Sequence, residues 1–276
     1  MTRVELVKLL RRPRTWIAIA LLCGLPALVA AFLGITKIAP QPGEGPTFLS
    51  AVLSNGSLYP AAALAMVLPL FLPVSVAVVG GDSVAGEASS GMLRYLLLRP
   101  VGRTRLLVAK LVTLVAFVLL AVISVAVTSY GVGVAVFGTE PTNALVGTDL
   151  VTSVSGSGLT PAQVALRITY TVLYIAVSML GVGAIAIFLS TVTDSSLGAA
   201  LGALAVLVTS QVLVALDAAA AVRPYLPTRY WLAWIDFFRQ PILWHDIQRG
   251  LAIQGIYVLV FLAAAWANFA TRDITS

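Results

Sequence analysis

Charged side chains are missing from six long stretches of the chain. Trp16–Ile35, Pro60–Gly80, Leu111–Tyr130, Ile168–Leu189, Leu197–Leu216 and Leu251–Ala270 contain no Asp, Glu, Lys, Arg or His, and each is 20 to 22 residues long. About 20 helical residues at about 1.5 Å rise cross a hydrocarbon core of about 30 Å. The runs lack the ten-residue alternation of polarity that marks a membrane β-barrel. The pattern predicts an all-α membrane protein with six transmembrane helices in one domain over residues 1–276.

Shorter patterned segments lie between the spans. In Val4–Arg12, Leu6, Val7, Leu9 and Leu10 fall on one arc of a helical wheel, and Lys8, Arg11 and Arg12 with Glu5 on the other. This predicts an amphipathic interface helix within residues 1–15, broken from the first span at Pro13, with Leu6, Leu10 and Arg11 at the interface. In the loop Gly81–Lys110, Met92, Leu93, Leu96 and Leu97 recur at helical spacing, framed by Arg94 and Arg99 and stopped by Pro100. A short amphipathic helix followed by a basic turn is expected there. Between Thr228 and Arg239, Trp231, Trp234, Ile235 and Phe238 share one helical face, with Arg229, Asp236 and Arg239 opposite. That spacing predicts an interfacial or re-entrant helical segment within residues 218–250, lying at the membrane surface with its arginines reaching phosphates.

Composition excludes several classes. Hydrophobic residues make up 59% of the 276 and charged residues 10%, with a mean hydropathy of +1.00. A soluble domain is about one quarter charged, and a disordered chain is poor in apolar residues. The net charge of +6 is distributed as a topology signal rather than as a nucleic-acid footprint. Eleven of the 17 basic residues fall in the N-terminal segment, the 81–110 loop and the C-terminal tail, and six on the other side. The positive-inside rule then places both termini in the cytoplasm of a multi-pass cell-membrane protein. The first span is too long for a typical signal-peptide core, so its retention is expected.

Catalytic patterns are missing. None of Lys8, Lys37 and Lys110 follows a glycine or precedes Ser or Thr, so there is no Walker A sequence. The lone His245 has no second histidine for a metal pair, and the lone Cys23 lies in an apolar run and reads as a packing residue. The nearest ionisable groups to the spans, Asp217 and Arg167, lie at span ends, which disfavours a carboxylate proton relay but leaves backbone-coordinated ion sites open. The chain is expected to be no enzyme and to hold no metal or cofactor.

Glu87, Gly91, Leu96-Leu97, Pro100, Arg103 and Lys110 resemble the pattern Glu…Gly-Thr…Leu-Leu…Pro-x-x-Arg…Lys that follows the second span of ABC-2 type permeases, with Met92 where that family often has Thr. Those permeases are the transmembrane subunits of ATP-binding cassette exporters. The amphipathic start, the six spans, the aromatic last outer loop and the ending Phe269…Arg272-Asp273-Ile274 extend the resemblance over the whole chain. It implies that segment 81–105 is a coupling helix seated on a separate ATPase subunit, with Glu87, Gly91, Arg94, Leu97, Pro100 and Arg103 at the contact. It also implies ATP and Mg in that partner, a second permease subunit, outward transport, and an outer gate at Trp231, Trp234 and Phe238.

Other features concern packing. Gly198 and Gly202 form a small-xxx-small pair suited to close helix contact. Pro26, Pro69 and Pro73 are expected to bend spans one and two, and Thr209, Ser210 and Gln211 form the polar cluster of span five. The uncharged path suggests an amphipathic or hydrophobic cargo. A non-ATP-driven channel or carrier, and a structural scaffold, remain as alternatives. Copurification with an ATPase separates the first from the permease reading, and vesicle transport the second.

Overall fold

Proline and capping residues set where the helices begin and break. In a computed structural model describing residues 2–36, 56–89, 103–139, 151–152 and 158–271, α1 (Thr2–Arg11) is separated by Arg12 from Pro13, where α2 (Pro13–Thr36) begins. Proline lacks an N–H and is tolerated at a helix's first position, so Pro13 ends one helix and opens the next. A 3₁₀ turn (Gly56–Leu58) leads into α3 (Tyr59–Val67), followed by α4 (Phe71–Gly81) and the short α5 (Ala85–Ser89). Three long helices come next: α6 (Arg103–Phe137), α7 (Pro161–Val192) and α8 (Ser196–Ala215). The last, α9 (Trp244–Thr271), is preceded by 3₁₀ turns.

Five helices, α2, α6, α7, α8 and α9, are long and apolar enough to cross a membrane, and the α3–α4 pair passes the same test together. The chain is a helical membrane protein. Between α3 and α4 the axis turns by 59°, at the Leu68–Leu70 break that contains Pro69. Pro73 has no N–H to offer the Pro69 carbonyl four residues back. That carbonyl instead accepts from Gln211 Nε2 on α8 at 3.2 Å. Freed backbone groups in a membrane helix must find such a partner. In α2, Pro26 stays inside the helix and its carbonyl accepts from the Tyr59 hydroxyl at 2.5 Å.

Several helices outrun the charge-free stretches. α6 starts at Arg103, eight residues before the expected span, because Leu106 and Leu107 pack inward and Lys110 is buried. α7 starts at Pro161, where Thr160 forms a capping box with Gln163. α9 already begins at Trp244, so residues 244–250 belong to a long helix rather than to the outer re-entrant segment expected over 218–250. A two-residue pairing of Val151–Thr152 with Gly158–Leu159 is the departure from an all-α fold.

The bundle is organised around α7. Of its most apolar window 67% is buried, against 22% for α2 and 17% for α9. α9 and α4 pack along α7, α8 lies against α4 and α7, and α6 bridges to α2 and α3. Small residues permit the closest crossings. A Cβ at Gly81 would lie 2.9 Å from the Ala200 backbone nitrogen, and one at Gly56 would lie within 2.1 Å of the Gly133 carbonyl oxygen.

The glycine pair expected to make close contact does so weakly within the chain. Gly198 is exposed and faces its own N-cap Ser195, and a Cβ at Gly202 would meet only Leu189 Cδ1, at 3.1 Å. Ala199, Ala200, Ala203, Leu207 and Ser210 form the buried face of α8 instead.

Candidate functional site

Glu5, Lys8 and Arg12 recur at spacings of three and four and so share one face of the N-terminal segment. That face is turned into the protein, toward the end of the bundle where α4, α5 and α6 meet. Lys8 Nζ donates to Glu87 Oε1 at 2.5 Å, and Lys110 Nζ lies 2.7 Å from Glu87 Oε2. Glu5 closes the cluster, 3.6 Å from Lys110 and 4.0 Å from Lys8. Beside it, Arg12 donates to Asp82 Oδ2 at 2.6 Å. The side chains of Glu87 and Lys110 are each 3% exposed, while Lys8 keeps 28%. A cavity of about 40 Å³ lies among these charged side chains and is lined as well by Leu9, Val79 and Leu114.

Three elements remote in sequence are thus joined by charge. Burying a carboxylate costs several kcal/mol after relaxation, so Glu87 is tolerated only because two ammonium groups reach it. Burial alone would raise its carboxyl, but Lys110 and then Lys8 outweigh burial and hold it below the usual carboxylate range. A depressed folded pKa contributes stability that is present above the unfolded value of about 4.3 and lost as pH falls through the folded value. The wild type is therefore expected to lose stability on acidification below about pH 4 more steeply than Glu87→Gln, in melting curves from pH 3 to pH 6.

A second fastening holds the same end. The buried Ser190 hydroxyl, near the end of α7, accepts from Val84 N at 3.0 Å and Ala85 N at 2.8 Å, and donates to Gly81 O at 2.7 Å. The turn that aims α5 is clamped to the central helix. A serine near the end of an apolar helix carries no sequence signal for that role.

The structure places the expected residues unevenly. Glu87 is an internal ion-pair centre rather than an exposed contact. Gly91, Arg94, Leu97 and Pro100 lie outside the described residues, and Arg103 is the first residue of α6. Along the N-terminal segment Glu5, Lys8 and Arg12 face the ion pairs, and the apolar arc is divided. Leu9 is buried with the charged face, whereas Val7 and Leu10 are 43% and 49% exposed, Leu6 is half-buried and Arg11 is exposed.

At the opposite end, residues 228–239 form turns and a 3₁₀ helix (Ala233–Phe238) rather than an α-helix with one aromatic face. Trp231, Trp234 and Phe238 are buried at 4% or less, in the hydrophobic core. Four side chains from the long helices hold this segment by its backbone. Arg167 donates to Arg239 O, Tyr174 to Tyr230 O, Gln254 to Pro227 O and Tyr257 to Tyr225 O. Ser210 bonds Thr228 from α8. The aromatic segment is a packed cap on the bundle, with His245 exposed at its edge.

Residues 44–275 match the model of a family described as a protein of unknown function (DUF2705). No curated protein matches the chain in sequence.

Proposed function

The chain belongs to the DUF2705 family, and we propose that this member is the membrane-spanning permease subunit of an ATP-binding cassette exporter. A separate ATPase subunit supplies ATP hydrolysis, and two permease subunits form the path. The observation that carries the reading is the Glu5–Lys8–Glu87–Lys110 cluster. It joins α1, α5 and α6 at the end of the bundle that holds most of the basic residues.

A motor docked on that end needs a stiff lever to act on the spans. Force on α5 passes through the ion pairs to α1 and α6, and through Ser190 to α7. The family-like motif from Glu87 to Lys110 begins and ends on the two buried members of the cluster. With this end cytoplasmic, as the basic residues favour, the aromatic cap closes the outer side. Release of cargo then requires the cap around Trp231, Trp234 and Phe238 to part from α7 and α9. The apolar path fits an amphipathic or hydrophobic cargo. Alternating exposure of this kind is a two-state change biased by a partner.

The test is copurification. The tagged chain is extracted in mild detergent from the membranes of its native host, and the proteins that copurify are assayed for a P-loop ATPase. A stable complex whose ATPase activity depends on this chain is expected. Absence of any complex, with solute flux across vesicles needing no nucleotide, would place the chain among channels or carriers.

A further inference from the structure

A second groove adjoins the ion cluster and shares Leu9, Arg12 and Val79 with the small cavity there. It has a volume of about 340 Å³ and runs between α2 and α4, walled by Ile17, Leu21, Phe71, Val74 and Val78 with Arg14 at its mouth. Its two hydroxyl-bearing wall residues spend their donors on backbone, Thr15 on Leu9 O and Ser75 on Phe71 O, both at 2.9 Å. An apolar chain suits such walls better than a polar solute. The Arg12–Asp82 pair joins the α1–α2 junction to the end of α4 and lines the same groove as Arg14.

Length identifies the occupant. From Arg14 to Leu22 on α2 is about 12 Å, and from Asp82 to Phe71 on α4 about 16 Å, at about 1.5 Å per residue. That is close to half of a hydrocarbon core of about 30 Å, the depth of one leaflet. The groove is open at the side, where Leu21 is 67% and Ile17 59% exposed. Arg14 is exposed at the headgroup level, with basic Arg11 exposed nearby.

We propose that this groove holds one acyl chain of an anionic membrane phospholipid, whose phosphate is bound by Arg14. The lipid enters sideways from the leaflet at the basic end and fills the space between α2 and α4. Charge selects the headgroup, and the apolar walls select any acyl chain of sufficient length.

Native mass spectrometry of the detergent-extracted full chain tests this without an ATPase. The protein is given equimolar phosphatidylglycerol and phosphatidylcholine of the same acyl chains. One bound phosphatidylglycerol is expected, favoured about fivefold, the effect of one basic residue near an anionic surface. Arg14→Gln should bring the preference near unity. Val78→Trp should lose both lipids by filling the groove, with Ile17→Trp repeating the block from the opposite wall. Leu259→Trp, at a position 72% exposed on α9, should retain them. Undiminished phosphatidylglycerol preference in Arg14→Gln would overturn the proposal, as would full lipid retention in both tryptophan variants. A cross-linked segment of a second copy in the groove would also overturn it.

Discussion

Replacing Lys110 with methionine is expected to destabilise the protein by about 3 kcal/mol, the lower part of the range for breaking a buried ion pair. Glu87 then loses its stronger counter-ion and retains Lys8, which is partly exposed. Methionine preserves most of the apolar stem, so the loss is one of charge rather than of packing. The double variant Glu87→Gln with Lys110→Met should recover most of that cost, because the buried carboxylate and ammonium are both gone and Lys8 remains beside Glu5. Denaturant titration in mixed micelles measures both. Equal destabilisation in the single and double variants would mean that the two side chains are not energetically joined.

Under the proposed permease function, Glu87→Gln and Arg103→Ala each lower ATP-driven transport about tenfold or more while the chain still inserts and binds the proposed ATPase partner. A tenfold loss corresponds to about 1.4 kcal/mol of coupling. Glu87 acts by position. It is buried, and its two ion pairs set the angle of α5 against α1 and α6. ATP hydrolysis should therefore persist in Glu87→Gln while transport per ATP falls. Normal transport in both variants would remove segment 81–105 as the lever.

The membrane helices are legible in sequence because hydrocarbon imposes a single demand, about 20 residues without charge. Helix ends are less so. Residues 103–110 carry two arginines and a lysine, yet they stay helical because Leu106 and Leu107 pack inward and Lys110 meets Glu87. The bend between α3 and α4 was foreseeable from Pro69 and Pro73, but its partner Gln211, 142 residues away, was not.

The site divides the same way. Glu87 stands out in a loop motif, but its pairing with Lys8 spans 79 residues and leaves no local trace. The wheel of α1 separates an apolar from a polar arc but carries no sign of what the polar arc meets. Here Glu5, Lys8 and Arg12 answer buried charges, and the exposed arc is Val4, Val7 and Leu10. The aromatic run at Trp231, Trp234 and Phe238 was read with a period suited to an α-helix, whereas the chain turns through 3₁₀ geometry and buries all three.

The most direct test of the lever and its motor is transport in vesicles. The chain and the ATPase that copurifies with it are reconstituted together, and export of a fluorescent amphipathic dye is followed with ATP, with a non-hydrolysable analogue and with no nucleotide. Dye movement with ATP alone, dependent on both subunits and lost in Glu87→Gln, is the predicted result. Dye movement at the same rate in all three conditions by this chain without the ATPase would contradict it.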